Sequence, residues 1–389
     1  MRSKLVTNYL PEIFALGVFR SGPAMVTVNL TSRCNQKCIY CELSESTARR
    51  KEDVLTVEDL TWIIDQMAMH KIRKLSLCGG EPFLFDGIID VVKYAGTKGI
   101  RCSITTNGMT AHLLDEKELD VLSKCKTSVN ISIDSFSENI QSLTRGTDLA
   151  LQRALQAIRR FTETGIPVTV LTVISKYNYN GLSAFITEAH RKGIRQVLLQ
   201  PVICSSNYPE LPAIGDKAGL NVGNEKLEPL MEELRKILRF ERRHRIRTNV
   251  YRIYPWIRQY LETAANPDGT WFFKKVVKKF YCRELDAIID ISYDGGIQPC
   301  GLTQASIFIP GNRERGLIDL WSEATGKIRE DLLAERYYNV CNGCCHHFSR
   351  NMLASVFKHP FRNRATLAAI LSLLMSRIWW GTVKKIYGK

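Results

Sequence analysis

Between residues 25 and 203 the chain alternates short apolar runs with longer amphipathic ones. MVTVNLT (25–31), KLSLC (74–78), RCSITT (101–106), SVNISID (128–134), PVTVLTVIS (167–175) and RQVLLQPVI (195–203) have the length and β-branched content of strands. The stretches near 56–70, 87–98, 115–124, 148–164 and 181–192 read as helices, the first opening on a Thr56–Asp59 capping pattern. Six strands alternating with helices, each largely apolar as when both faces are covered, predict a parallel sheet wound by right-handed crossovers. The fold class expected is α/β, a partial (β/α)6 TIM-like barrel over residues 25–204.

After Cys204 the rhythm stops. SSNYPELPAIGDKAGLNVGN (205–224) is rich in Pro, Gly and Asn and reads as a boundary. Helical stretches near 226–246 and 252–264 follow, so residues 205–281 are expected to be a linker and helical bridge. A compact cysteine-bearing α+β module is expected over 282–345, and a helical basic tail over 346–389. Residues 1–24 form a short N-terminal segment.

The chain has 389 residues, 45% of them hydrophobic and 24% charged, which suffices for a packed core. Twelve cysteines are too dilute for a disulfide-stapled mini-domain, and MRSKLVTNYLPEIF lacks the apolar run of a signal peptide. A cytoplasmic location follows, where clustered cysteines hold metal more often than they pair. The net charge of +15 concentrates partly in RKILRFERRHRIR (235–247) and KKVVKK (274–279), as a solvated basic face or as an attraction for an anionic partner. No segment reaches about 18 uninterrupted apolar residues, so no membrane span is expected. ATLAAILSLLMSRIWW (365–380) nevertheless sets Leu367, Ile370, Leu371, Leu374 and Ile378 at helical spacing between basic flanks and Trp379–Trp380. It reads either as a helix docked on the protein's own core or as a peripheral membrane contact.

The candidate chemistry lies in the turns that follow the strands, the rim where parallel barrels place it. Cys34, Cys38 and Cys41 stand on the turn after the first strand, with no fourth ligand nearby; the first histidine is His70 and the next cysteine Cys78. A tetrahedral zinc site would want that fourth ligand, whereas a [4Fe–4S] cube accepts three cysteines and keeps one iron open.

CNQKCIYC, with Tyr40 as the aromatic, resembles the CxxxCxΦC motif of the radical S-adenosylmethionine (SAM) superfamily, and the resemblance extends over residues 25 to about 203. It implies that Cys34, Cys38 and Cys41 hold a [4Fe–4S] cluster whose open iron binds SAM. One electron then splits SAM into methionine and a 5′-deoxyadenosyl radical that takes a hydrogen from the substrate. Gly79-Gly80-Glu81-Pro82 matches the family's GGEP motif, which meets the methionine ammonium. Ser132 and Arg145 match positions facing the methionine carboxylate, Asn107 and Asp134 face the ribose, and Tyr40 the adenine. The resemblance also implies a flavodoxin or ferredoxin-type electron donor.

In the C-terminal half, Cys282 and Cys300 flank a strand–turn–strand pattern with Asp294-Gly295 at the turn, and Cys341 and Cys344 follow as Cys-x2-Cys. Four thiolates suit zinc or a closed iron–sulfur cube. The spacing resembles the Twitch form of the SPASM domain, which implies a second, auxiliary 4Fe–4S cluster; Cys345 could stand in for Cys344. Cys78 and Cys102 read as small buried hydrophobes, and Cys204 as inert or facing substrate. The resulting expectation is an oxidising radical SAM enzyme acting on a small or lipid-linked substrate, with the auxiliary cluster as electron relay. The alternatives are a peptide- or protein-modifying maturase, and an RNA- or membrane-binding protein with structural clusters. Nucleic acid is not expected as a partner, because the SAM-binding motifs would then be unexplained.

Overall fold

A computed structural model describes residues 22–41, 53–202, 217–264 and 284–334, apart from 302 and 304. Cys204, Cys282, Cys341, Cys344, Cys345, the basic run 274–279 and the 346–389 tail lie outside the described residues. So do the N-terminal segment up to residue 21 and most of the 205–224 boundary.

The six expected strands are present as β1 (Met25–Asn29), β2 (Lys74–Cys78), β3 (Arg101–Thr106), β4 (Ser128–Ser132), β5 (Val168–Ile174) and β6 (Gln196–Pro201). They pair in parallel in chain order. The intervening helices are α1 (Val57–Met69), α2 (Ile88–Thr97), α3 (Glu116–Lys124), α4 (Glu138–Arg145), α5 (Ala150–Glu163) and α6 (Leu182–Arg191), followed by α7 (Leu227–Arg243) and α8 (Val250–Ala264). Thr56 caps α1, its hydroxyl bonding Asp59 N while the Asp59 side chain returns to the Thr56 backbone. Asp115 and Glu118 form the same reciprocal box on α3. Each box satisfies amide groups that the first helical turn leaves open.

The sequence pattern does not reveal α4 or the short strand β7 (Arg247–Thr248), which extends the parallel sheet beyond β6. The buried side of α4 consists of Gln141, Thr144 and Arg145, so its inward face carries no apolar periodicity to read.

The C-terminal hairpin folds as expected, β8 (Ile288–Ile291) running antiparallel to β9 (Gly296–Gln298). It does not form a sheet of its own: β8 pairs in parallel with β1, and β10 (Ile307–Phe308) follows β9. The result is one ten-stranded sheet in the order β10-β9-β8-β1-β2-β3-β4-β5-β6-β7, not closed into a barrel among the described residues. The hairpin covers the edge that β1 would otherwise leave unpaired. Helix α9 (Leu317–Leu333) backs it, with Trp321 Nε1 donating to Ile288 O at 3.1 Å.

Alternation along the strands divides the sheet's two faces. Val28, Leu77, Ile104, Ile131, Val170 and Leu199 are fully buried or nearly so under the helices. The residues between them form the inner face, which is only partly covered. No helix among the described residues is long and apolar enough to cross a membrane.

Asp59 ties the first helix to the turn between β10 and α9, because Arg313, 254 residues later, pairs with the same buried carboxylate that completes the capping box of α1. Asp59→Ala removes the carboxylate half of the capping box and the partner of Arg313 together. It is expected to cost about 1–3 kcal/mol, read as a lowered urea midpoint, with Arg313→Ala costing less.

Candidate functional site

The turn bearing Cys34, Cys38 and Cys41 is held from two sides by backbone. On one side lies the Gly79–Pro82 turn leaving β2. Gly80 N donates to Thr31 O at 2.7 Å and Glu81 N to Arg33 O at 2.8 Å. A Cβ added to Gly80 would fall 2.1 Å from the Arg33 carbonyl oxygen, and one on Gly79 2.7 Å from that of Thr31. The two glycines are thus required for the turns to touch. Pro82 opens a short 3-10 turn, Pro82–Leu84.

On the other side lies the end of α4. Ile39 N donates to Thr144 O at 3.1 Å, and Gly146, at φ +70°, lets the Lys37 carbonyl approach to where a Cβ would leave only 2.3 Å. Asp53 closes the base of the turn, accepting from Ser32 N at 2.7 Å and from the Thr31 hydroxyl.

Glu81 is fully buried, and its carboxylate accepts from Thr106 Oγ1 (2.7 Å), Asn107 N (2.8 Å) and Phe83 N (3.2 Å). Burial pushes its pKa up, against these hydrogen bonds. The side chain therefore ties the end of β2 to the end of β3. Asn107 then reaches the cysteine turn, its Nδ2 donating to Asn35 Oδ1 at 2.7 Å and lying 3.7 Å from Cys34 Sγ. Gln36 N points at the same sulfur from 3.5 Å.

Asp134, just past β4, is 1% exposed and gathers a second set of contacts. Its Oδ1 accepts from Arg145 Nη2 at 2.8 Å and Val173 N at 2.9 Å, and its Oδ2 from the Tyr40 hydroxyl. The Arg145 guanidinium lies 5.4 Å from the centre of the Tyr40 ring. Burial opposes the Arg145 charge, but Asp134 outweighs it and holds the pKa above its ordinary value. Burial likewise raises the Tyr40 hydroxyl, and pushes the Cys38 thiol up to about 11 against the pull of Arg145. Burial is also the leading cause that raises Cys34.

The residues singled out from the sequence on this rim thus lie together, with Ser132 at the end of β4. Sequence reasoning missed the residues that orient them. Gln141 accepts from Asp134 N at 2.8 Å, and Asn178 donates to Asp134 O at 2.9 Å. Gln141 sits between two of the matched positions without being part of either motif, Asp53 and Asn178 stand apart from them, and buried, satisfied polar side chains leave no pattern to search for.

Cysteine thiols from one rigid turn, with N–H groups directed at Cys34 Sγ, are a donor set suited to an iron–sulfur cube. Arg145 Nε is buried without a hydrogen-bond partner, the kind of open donor that a carboxylate would satisfy. Among the described residues no three ligating side chains surround the position of a single metal ion. The residues present fit a cluster with a carboxylate-bearing ligand beside it.

The inner face of the sheet continues downward from this rim. Register places Asp290, Thr27, Ser76, Ser103 and Ser128 in one row across β8, β1, β2, β3 and β4. Thr105, Asn130 and Thr169 form a row nearer the cysteine turn. Asn130 Nδ2 bonds both Ser103 Oγ (3.2 Å) and Thr105 Oγ1 (3.1 Å). Cys78, at the end of β2, lies on this face beside Asn29, with Sγ 3.2 Å from Asn29 Oδ1; Cys102 is buried on the helix side. Cys78 is therefore not the buried hydrophobe expected: one-residue offsets along neighbouring strands send the two thiols to opposite faces. Cys300 follows β9, whose antiparallel run carries it to the opposite, N-terminal end of the sheet. Its backbone is fixed by Thr303, whose Oγ1 donates to Cys300 O at 2.8 Å.

Gly80→Ala should force the Arg33 carbonyl aside and open the cysteine turn. The protein is expected to keep its far-ultraviolet circular dichroism yet retain less than about half the iron of the wild type at the Cys34–Cys38–Cys41 turn after anaerobic reconstitution. Iron and sulfide content measure this.

Residues 28–189 match the Radical SAM superfamily. A GTP 3′,8-cyclase of Clostridium perfringens is 27% identical over 218 residues, 54% of this chain and 62% of that protein. One from Listeria welshimeri is 33% identical over 156 residues, 39% of this chain and 45% of that protein. An Fe-coproporphyrin III synthase of Methanosarcina barkeri is 25% identical over 214 residues, 55% and 52% of the two chains. The chain spans about half the length of these curated relatives. Among solved structures, Streptococcus suis SuiB bound to S-adenosylmethionine shares the fold at 18% identity and TM-score 0.59, over 84% of this chain and 73% of that one. Native anSMEcpe with bound AdoMet does so at 16% identity and TM-score 0.60, over 84% and 88%. Residues 28–189, which carry the cysteine turn, the glycine turn beside it and most of the parallel sheet, are therefore a radical SAM domain.

Proposed function

We propose that the chain uses SAM-derived radical chemistry to oxidise a small polar substrate lodged on the inner face of the sheet. The observation that carries this reading is the row of hydroxyl and amide side chains below the cysteine turn. Thr27, Ser76, Ser103, Thr105 and Asn130 offer donors and acceptors to a hydrogen-bonding substrate, and Leu171, Val173 and Leu198 on β5 and β6 give the same face an apolar side. A site built of such groups rejects partners that leave them unpaired. The names of the GTP 3′,8-cyclase relatives are in keeping with a small polar substrate.

When bound, a [4Fe–4S] cluster and SAM supply an electron and a carbon radical able to take a hydrogen atom. Cys34, Cys38 and Cys41 would hold the cluster. The open Nε of Arg145 would meet the methionine carboxylate beside Ser132, and the carbonyls of Gly79 and Gly80 the ammonium. Glu81 and Pro82 act by fixing that turn, since the Glu81 oxygens already accept three protein hydrogen bonds. Tyr40 would flank the adenine, with Asn107 and Asp134 holding the ribose side of the pocket in place. Oxidation leaves one proton and one electron to be taken away. The electron's route would be an auxiliary cluster on Cys282, Cys300, Cys341 and Cys344. Cys300 stands at the N-terminal end of the sheet, level with the first residue of β1, so the length of the strands separates it from the cysteine turn.

Anaerobically reconstituted protein with dithionite and SAM is expected to form 5′-deoxyadenosine, and Cys38→Ala to lower that formation at least 100-fold. Wild-type activity in Cys38→Ala would remove the cluster assignment. Guanosine triphosphate, an aminoglycoside and a long-chain acyl ester then test the substrate class. A polar compound should raise 5′-deoxyadenosine formation, and stimulation by the acyl ester alone would overturn the polar-substrate reading.

A further inference from the structure

The catalytic rim uses one end of the sheet; the other end has a composition of its own. Five segments lead from a helix into β2, β3, β4, β6 and β7: residues 70–74, 97–101, 123–128, 190–196 and 242–248. Each contains at least two Lys or Arg, and none contains Asp or Glu. Four of them carry one isoleucine, Ile72, Ile100, Ile194 or Ile246, and all four side chains are turned into the core. The apolar residue of each segment thus anchors it while the cations stay outside.

Basic residues near helix C-termini are favoured by the helix dipole, which accounts for one or two charges per helix. It does not account for five such segments without an acid of their own, three on one side of β5 and two on the other; the segment into β5 carries no cation. Some rim cations find acids on the helices, as Lys98 does with Asp65 and Lys124 with Asp120. Arg101, Lys126, Arg242, Arg243, Arg245 and Arg247 make no ion pair among the described residues. Between the first three segments the rim hollows into a cavity of about 770 Å³, lined by Arg73, Lys93, Arg101, Lys124 and Lys126 and by no carboxylate. Such an arrangement repels itself unless anions share it.

The chemistry of the rim selects among anionic partners. None of the three segments around the cavity contains an aromatic side chain on which nucleic-acid bases could stack; the rim's aromatic cluster, Phe240 with His190 and His244, lies beside β6 and β7 and its rings pack on one another. Among the described residues these segments are short turns, with no helix or ribbon projecting from them to enter a groove. Nor does it offer the apolar and aromatic centre of a protein interface, because its isoleucines are buried. A broad, level array of cations without apolar content fits a plane of phosphates.

We propose that the N-terminal rim of the sheet docks the protein on an anionic phospholipid surface, with lipid phosphates entering the Arg73–Lys126 cavity. The catalytic rim then faces away from the bilayer and takes its substrate from water. This surface is separate from the 346–389 tail and from the SAM site.

The test is co-sedimentation of the full chain with vesicles of phosphatidylglycerol and phosphatidylcholine. Wild-type protein should bind, and binding should fall steeply as salt rises from 50 to 200 mM, on the order expected for screened surface charges. Each cation near an anionic surface is worth about fivefold in affinity. The variant Arg101→Glu/Lys124→Glu/Lys126→Glu and the separate variant Arg242→Glu/Arg245→Glu/Arg247→Glu should each lose at least tenfold, with thermal midpoints within a few degrees of wild type. Both variants keep the tail, so wild-type sedimentation of both would assign binding to the tail and overturn the proposal. Equal binding to pure phosphatidylcholine vesicles, or preference for polyuridylic acid over the vesicles in competition, would overturn it as well. None of these readouts depends on SAM cleavage.

Discussion

The two-sided grip on the cysteine turn is the constraint from which the rest of the site follows. A turn carrying three thiols within eight residues has no regular structure to stiffen it. Its geometry is imposed by backbone groups from residues 79–81 and 144–146. Both grips need glycine, because carbonyl oxygens of the turn occupy the space a Cβ would fill. Buried carboxylates then lock the gripping segments to the sheet: Glu81 joins β2 to β3, and Asp134 joins β4 to β5 and to Tyr40. Neither carboxylate is free to change partners without leaving a buried polar group unsatisfied, which costs more than an ordinary hydrogen bond contributes.

This assigns a structural side to residues that a motif reading treats only as ligand contacts. Arg145 holds Asp134 with one nitrogen and presents another unpartnered. Binding a carboxylate there would complete the guanidinium's hydrogen bonding without disturbing the brace. The cost of keeping that charge buried is offset by Asp134 whether or not a ligand is present. Preorganisation of this kind means that the site does not have to be assembled when its ligand arrives.

The strands and most helices were legible because each buried one apolar face under the other layer, and periodicity reports such burial directly. The cysteine and glycine turns were legible as motifs with fixed spacing. What stayed hidden was held by polar contacts. Helix α4 buries Gln141, Thr144 and Arg145, and the supports Asp53, Gln141 and Asn178 sit in ordinary-looking polar stretches. The hairpin at 288–298 was visible as a strand–turn–strand unit. Its pairing with β1 was not, because edge pairing across some 260 residues of sequence depends on which strand lacks a neighbour. The polar inner face was likewise a matter of register, since Thr27, Ser76, Ser103 and Ser128 become one row only when four strands are aligned.

The central claim is that the gripped turn holds a cluster with one coordination position left for SAM. Electron paramagnetic resonance of the reduced, reconstituted protein, recorded before and after adding SAM, tests it most directly. Using Cys300→Ala lowers any overlapping signal from an auxiliary cluster. The account predicts a reduced [4Fe–4S] signal whose g values shift on adding SAM, and which disappears when Cys34, Cys38 and Cys41 are replaced together by alanine. Absence of a signal that shifts with SAM, or survival of that SAM-shifted signal in the triple replacement, would contradict it.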